Sequence, residues 1–287
     1  MAVYNGAEYI ADAIRSLINQ SYANWELLIV DNGSTDATSA ICGDFVTADP
    51  RIRFFSLTEK GKNRAYNFAF DHSTGDLICF MAADDLLVEN SLQQRVAAIK
   101  DVPNAYSTCC LKTFSDDPVH DGIIFPRNQM QPNFSGGSLM FTREMAVCIF
   151  PIPEQQPNED TWTSLHLRAF GEYLHVPEPL YLYRIHSNNS YGYGLSFKEK
   201  RFRYLHRMNA FKLFFQRFSD VKENTFINAE VFPFLKGLEH AESQKAWPIL
   251  FIKNLSLKSK LVLIFYCSPT LYNIRYKYFK YLSGILN

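Results

Sequence analysis

The sequence predicts an α/β domain built on a mixed, mainly parallel sheet flanked by helices, followed by a helical extension. Three observations carry this reading. Trp25 to Val30 (WELLIV) and Leu77 to Met81 (LICFM) are near-continuous apolar runs, the pattern of strands buried on both faces. They alternate with stretches of helical period, and strand–helix alternation implies a mainly parallel sheet. Both runs then lead into acids, DNGSTD at 31–36 and Asp84-Asp85. In such sheets ligands sit beyond the carboxyl ends of the strands.

The elements follow in order. Met1 to Tyr4 reads as the end of a strand. Residues 8–19 place Tyr9, Ile10, Ala13, Ile14, Leu17 and Ile18 on one helical face. After strand 25–30, Gly33 supplies a turn, and Ser34 or Thr35 can cap a helix over about 36–47. Residues 51–57 form a strand and 63–71 a helix. Thr74-Gly75 breaks the chain before strand 76–82, and 89–100 is a helix with Leu92, Val96, Ala97 and Ile99 inward. Further on come strand 106–114, the glycine-led strand GGSLMF at 136–141, helix 143–149, helix 161–169 and strand 180–185. From about 197 the pattern is helical, aromatic and basic. The expected division is 1–195 and 196–287.

With 47% hydrophobic and 15% aromatic residues, the 287-residue chain can build a real core, which argues against disorder. Its net charge is zero, but unevenly distributed. Lys245, Lys253, Lys258, Lys260, Arg275, Lys277 and Lys280 are seven of the 29 basic residues, and no acid follows Glu242. The tail is therefore net positive by seven and the remainder net negative by seven. Cys42, Cys79, Cys109, Cys110, Cys148 and Cys267 show no ligand spacing. Most lie in apolar runs, as reduced core thiols of a cytosolic protein do. The longest uncharged run of the tail, around Leu261 to Leu271, is too short to span a membrane.

In the tail the basic residues interleave with aromatics such as Trp247, Phe251, Tyr266 and Tyr272. Nothing else in the sequence supports nucleic acid as a partner, and none is expected. An amphipathic segment lying on an anionic membrane surface fits the charge. A helical cap docked on the domain, or a dimer contact, is the alternative.

Taken together, VYNGAEYI…SLINQSYANWELLIVDNGSTD, NRAYNFAFDHSTGDLICFMAADD, GGSLMF, NEDTWTSLHLR and YRIHSNNS resemble the inverting glycosyltransferases of family 2, which have the GT-A fold. The resemblance covers roughly residues 2–190. It implies a nucleotide-diphospho-sugar donor, usually a UDP-sugar, and Mn²⁺ or Mg²⁺ to neutralise the departing diphosphate. Asp85 would contact the metal, and Asp84 the ribose or the metal shell. The chain departs from the fuller acidic motif at Ala82. Tyr4 would stack on the base, and Asp31 or Asn32 would read its edge. Asn32 stands where the family often has Asp, which makes UDP over dTDP less secure. Asp36 is either a further donor contact or an ordinary helix-start acid. Arg64 and Asn67 lie on the nucleotide-facing helix, although a lone Arg is as often a surface charge. His186 would ligate metal or phosphate, or be structural.

The resemblance makes Asp160 the base that deprotonates the acceptor hydroxyl, with Glu159 orienting the acceptor. Two acids opening a helix are also ordinary capping chemistry. Gly136-Gly137 would let the backbone approach sugar or acceptor. A saccharide or lipid-linked acceptor suits surface polysaccharide or glycolipid synthesis, with the protein cytoplasmic and peripheral at the inner face of the cell membrane. That step is family analogy. Two competing functions remain. One is a degenerate domain that holds a nucleotide sugar or a partner without turnover, which Ala82 and the short first strand favour slightly and the intact Asp84, Asp85 and Asp160 argue against. The other is a nucleotidyltransferase, which VYNGAEYI disfavours because it lacks a basic phosphate loop. In the resembling enzymes about five apolar residues precede the equivalent of Val3, so Met1 is expected to be internal to a longer natural chain.

Overall fold

The computed structural model describes residues 1–186, 195–221 and 223–275. It divides into two compact units, Met1–Asn189 and Ser190–Asn287. The expected boundary after residue 195 sits beside the undescribed stretch 187–194. The SNNS end of YRIHSNNS and the tail from Tyr276 onward also lie outside the described residues.

The first unit opens with β1 (Ala2–Val3), α1 (Ile10–Ile18), β2 (Leu27–Asp31), α2 (Thr38–Ala48), β3 (Ile52–Ser56) and α3 (Lys62–His72). All five residues of β2 are buried, which is why its sequence shows no alternation. Strands β1, β2 and β3 pair in parallel in that order. Next come β4 (Leu77–Cys79), β5 (Leu86–Leu87), α4 (Ser91–Ile99), β6 (Ala105–Phe114), β7 (Ile124–Phe125), β8 (Leu139–Thr142), α5 (Arg143–Ile149), α6 (Glu159–Phe170) and β9 (Glu172–Arg184). These strands form a second sheet in the order β4-β8-β6-β9-β5, with β7 on β6. An isolated parallel bridge between Ala2 and Ala82 joins the two sheets. The longest ladders, β2 with β3 and β6 with β9, are parallel, and the antiparallel pairs are short. One core runs under both sheets, from Val3, Ile14 and Ile29 to Cys109, Met140 and Tyr181.

Three elements differ from expectation. Strand 76–82 keeps only β4 in the ladder. Beyond it the chain turns away, and the Ala82 N–H donates to the Tyr181 hydroxyl at 3.2 Å. The strand expected at 180–185 begins at Glu172. Its first half contains Pro177 and Pro179, which disguise it. The structure accommodates them at register shifts opposite Cys109, Cys110 and Leu111, since a bulge tolerates a missing N–H. The first residues of GGSLMF form a 3-10 turn, Gly136–Ser138, before β8.

The DNGSTD segment is a clasp as well as a helix start. The Asn5, Gly6 and Ala7 N–H groups donate to Ser34 Oγ (2.8 Å), Thr38 Oγ1 (2.9 Å) and Asp36 Oδ2 (3.1 Å). The Thr35 N–H donates to Asn5 Oδ1 at 2.8 Å. Ser34 and Thr35 thus tie the β1 exit to the β2 exit. Neither caps α2, whose N-cap is Ala37 without a side-chain bond; just ahead of it Asp36 Oδ1 accepts from the Thr38 N–H at 3.1 Å.

The second unit comprises α7 (Phe197–Arg217), a π-helical turn at Ile227–Val231 running into α8 (Phe232–Glu242), α9 (Ala246–Leu250) and α10 (Leu257–Phe265). A capping box opens α7: Ser196 Oγ accepts from the Glu199 N–H, and Glu199 Oε2 accepts from the Ser196 N–H. Phe234, Leu238, Ala241, Ile249, Leu255, Leu263 and Cys267 form its core. No helix among the described residues is long and apolar enough to cross a membrane. All six cysteines are free thiols.

Glu26 pins the turn that separates α3 from β4. Its Oε1 accepts from the Thr74 and Gly75 N–H groups, at 2.5 and 2.9 Å, and its Oε2 from Arg53 at 2.6 Å. Partial burial opposes ionisation, but these donors outweigh it and lower the pKa. Glu26→Ala should cost about 2 kcal/mol at neutral pH, because the turn amides lose their acceptor. The Glu26 contribution is complete above the unfolded value, about 4.3, and fades as pH falls through the lower folded one. Urea midpoints should therefore separate wild type from variant at pH 7 and converge in acid. Equal midpoints at neutral pH would refute the role.

Candidate active site

The carboxyl ends of β1 and β2 form one rim of the site. Tyr4 is 50% exposed there, and Lys60 donates to its hydroxyl at 3.0 Å while lying 4.3 Å from the ring centre. Asn32 is buried. Its N–H donates to the Val3 carbonyl at 2.8 Å, and its Oδ1 accepts from the Gly61 N–H at 3.3 Å. Asp31 is also buried and builds the turn itself. Its Oδ1 accepts from the Ser34 N–H (3.0 Å) and hydroxyl, and its Oδ2 from Ser39 at 3.1 Å. Gly33, with φ of 78°, makes the left-handed step that this turn requires.

The adjacent acids have different environments. Asp85 is 3% exposed, and both of its oxygens are engaged. Oδ2 accepts from the Tyr181 hydroxyl at 2.9 Å, and Oδ1 from the Arg184 N–H at 2.8 Å. Burial, and then the Asp84 charge, push its pKa up to about 7. Asp84 is partly exposed, with Oδ2 lying 3.2 Å from His186 Nε2. The Arg184 side chain donates to the Asp84 carbonyl at 2.8 Å and packs over Tyr9 and Phe114. The His186 ring packs against Tyr9, with centres 4.7 Å apart.

The Gly136-Gly137 step lies against two further site residues. A Cβ on Gly137 would fall 2.1 Å from Tyr181 Cζ, and one on Gly136 would fall 2.5 Å from Glu159 Oε1. Packing against the Tyr181 ring therefore requires a glycine at 137, whereas a side chain at 136 would displace the Glu159 carboxylate. Glu159 is buried and paired with Lys62 at 2.8 Å. Burial works against the Lys62 ammonium, but Tyr66 and Glu159 outweigh it, so its pKa is raised. Asp160, at the start of α6, is more open than Glu159, and its Oδ1 accepts from the Thr161 N–H at 2.6 Å.

Helix α3 holds the loop that leads to these acids. Asn67 closes a two-way clasp on Ile152, donating to its carbonyl at 2.9 Å and accepting from its N–H at 2.7 Å. Asn63 donates to the Gln156 carbonyl at 2.8 Å and to the Pro153 carbonyl at 3.2 Å. Arg64 is paired with Glu154, through contacts as short as 2.6 Å, and with Glu59. Arg64 and Asn67, expected to face the nucleotide, thus act on the loop in this structure.

A metal can be accommodated only in part by the protein itself. Among the described residues no three His, Cys, Asp or Glu side chains converge as a cage. Asp84 and His186 bring two donor atoms close enough to share one ion. That arrangement suits a cation whose other ligands come from substrate phosphates.

The family model for "Glycosyl transferase family 2" matches residues 1–152. The chain belongs to glycosyl transferase family 2. Curated relatives agree. A putative teichuronic acid biosynthesis glycosyltransferase, TuaG of Bacillus subtilis, is 28% identical over 197 residues, covering 65% of this chain and 77% of that protein. An uncharacterised glycosyltransferase of Haemophilus influenzae is 36% identical over 97 residues, covering 33% of this chain but only 39% of its own.

Solved structures bear out the GT-A fold of this family 2 chain. S. aureus TarS 1–349 in complex with UDP-GlcNAc has a TM-score of 0.60 at 15% identity, covering 99% of this chain and 90% of that one. The mannosyltransferase PcManGT of Pyrobaculum calidifontis, in complex with GDP-Man and Mn²⁺, has a TM-score of 0.60 at 18% identity, covering 96% and 77%.

Sequence reasoning missed Lys60, Lys62, Asn63, Tyr181 and Arg184. Arg184 and Asn63 carried a signal, since they lie inside the YRIH and NRAYN segments. Of the five, Tyr181 has the widest consequence for this family 2 site. Gly137→Ala should force its ring off Asp85 and Ala82, destabilising the fold by about 1–3 kcal/mol. Tyr181→Phe keeps the ring and loses only the two hydroxyl contacts, so its melting temperature should fall less than that of Gly137→Ala. Calorimetry on both variants checks the order, and a Gly137→Ala protein as stable as wild type would refute it.

Proposed function

We propose that the chain is a metal-dependent, inverting glycosyltransferase that moves a sugar from a nucleotide-diphospho-sugar, a UDP-sugar in the first instance, to an acceptor hydroxyl. The observation that carries this reading is the convergence of the β1 and β2 exits with the Asp84–His186 pair, through the bridge between Ala2 and Ala82. TarS binds UDP-GlcNAc and PcManGT binds GDP-Man with Mn²⁺, which supports a donor of the same class here. The likeness to TuaG supports an acceptor from surface polysaccharide or glycolipid synthesis, presented at the membrane.

Each residue has a role in this reading. Tyr4 stacks on the base, and Asn32 reads its edge, with Lys60 beside them. Asp84 and His186 would hold Mn²⁺ or Mg²⁺, in place of the Asp85 contact expected from the sequence, because both Asp85 oxygens already accept from β9. A divalent ion held there would supply positive charge to offset that of the diphosphate leaving group. Asp160 takes the proton of the acceptor hydroxyl. The acceptor oxygen forms its bond to the anomeric carbon as the bond from that carbon to the diphosphate breaks, with inversion. Glu159, charge-paired with Lys62, fixes the start of α6 so that the base is correctly aimed.

Heat-shift with UDP- and dTDP-sugars, with and without Mn²⁺, tests the donor half. Stabilisation by at least one sugar nucleotide that depends on metal is the expected result. Asp84→Asn should lose the metal-dependent part of the shift, yet melt within about 2 °C of wild type when no ligand is added. Asp160→Asn should lower turnover by about 10²–10⁴-fold with donor binding intact. Activity surviving in Asp160→Asn removes it as the base. Ala82, standing where a further acid is common in the family, favours a second reading, a domain that binds a nucleotide sugar without transferring it. Donor binding with no turnover toward any hydroxyl acceptor would select that alternative.

A further inference from the structure

The second unit presents an apolar face that its own core does not use. On α9 and just beyond it, Trp247 is 71% exposed and Phe251 66%, with Leu250 also exposed. On α10, Leu257 is 70% exposed and Leu261 is also open. The spacing 247, 250, 251 and the spacing 257, 261 each put these side chains on one side of a helical turn. The opposite sides supply Ile249 and Leu263, which are buried in the core with the linker residue Leu255. The two helices pack on each other, so their outward residues belong to adjoining surfaces. Trp247 and Phe251 meet edge to face, with centres 5.4 Å apart.

Charge says what should cover this face. Lys245, Lys253 and Lys258 are exposed beside it, and no Asp or Glu follows Glu242 anywhere in the chain. Large apolar side chains set among lysines, in a stretch with no acid after Glu242, match an interface whose polar layer is negative and whose depth is hydrocarbon. Tryptophan suits the boundary between the two, because its ring is apolar and its N–H is polar.

We propose that the α9–α10 face docks on an anionic bilayer, with Trp247, Phe251 and Leu257 entering the headgroup boundary and Lys253 and Lys258 meeting the lipid phosphates. The proposal deepens the transferase reading and takes its purpose from it, namely bringing the site to a lipid-linked acceptor. Its test is independent of that reading.

Co-sedimentation of the full chain with vesicles decides it. Binding should be at least roughly tenfold stronger to phosphatidylcholine mixed with phosphatidylglycerol than to phosphatidylcholine alone, and should fall with added salt. Trp247 emission should shift to the blue on binding, and Trp247→Phe should remove that change. The triple variant Trp247→Ser, Phe251→Ser, Leu257→Ser should lose about tenfold or more in binding, and so should Lys253→Glu with Lys258→Glu. All five positions are exposed, so their circular dichroism should match wild type. If the triple variant fails to fold, the charge variant and the Trp247 emission still decide the question. Equal binding to neutral and anionic vesicles overturns the proposal. So does a dimer, seen by size exclusion, that the same substitutions disperse. Vesicle binding without any sugar-nucleotide heat-shift would instead refute the transferase reading and leave this proposal standing.

Discussion

Much of the first unit is arranged around one buried carboxylate. Asp85 cannot be left without donors inside a protein, where an uncompensated charge costs several kcal/mol. It receives two, the Tyr181 hydroxyl and the Arg184 N–H, both from β9. Three features follow from that. The acid segment is held against a strand about a hundred residues away. Tyr181 can reach Asp85 only where residue 137 has no side chain. The same hydroxyl accepts from the Ala82 N–H, which draws the chain out of the β4 ladder and presents Asp84 beside His186. The outward placement of Asp84 is thus a consequence of burying its neighbour.

Helix α3 provides a second constraint. Its first turns contact both halves of the site. The Gly61 N–H just ahead of it meets Asn32 at the rim formed by the β1 and β2 exits, while Lys62, Asn63, Arg64 and Asn67 hold Glu159 and the 152–156 loop. Many of these contacts end on backbone carbonyls or amides. They fix the path of the loop, and with it the start of α6, whatever the loop's side chains are.

Most of the fold was legible because its signals are local. Continuous apolar runs marked the buried strands, and helical spacing marked α1 and α4. Elements were misread where tertiary contacts overrode local preference. Pro177 and Pro179 conceal the first half of β9, and only the bulge opposite Cys110 explains how they fit. The site was legible as a set of positions and less so as a set of partners. Asp84, Asp160 and His186 stand out in their motifs. That Asn67 would grip Ile152, or that Tyr181 would lie on Gly137, depends on contacts between residues 44 to 85 apart in the chain, which no periodicity encodes. The pairing of Arg64 with Glu59 and Glu154 could not be read from the sequence, because neither carboxylate carries a motif of its own.

The same physical solution recurs at both adjacent acid pairs. Neighbouring carboxylates repel, and burying both would demand more donors than the surrounding backbone offers. In each pair one member is buried and given its own partners: Asp85 has Tyr181 and Arg184, and Glu159 has Lys62. The other member, Asp84 or Asp160, is then more exposed and steered by a short contact, to His186 in one case and to the Thr161 N–H in the other. Rigidity and presentation are thereby divided between adjacent residues. Neutralising a buried member should disturb position, whereas neutralising its exposed neighbour should disturb chemistry with the fold intact. The doubled acids of FMAADDLL and NEDTW are therefore, in structure, a buried anchor and a more exposed carboxylate side by side.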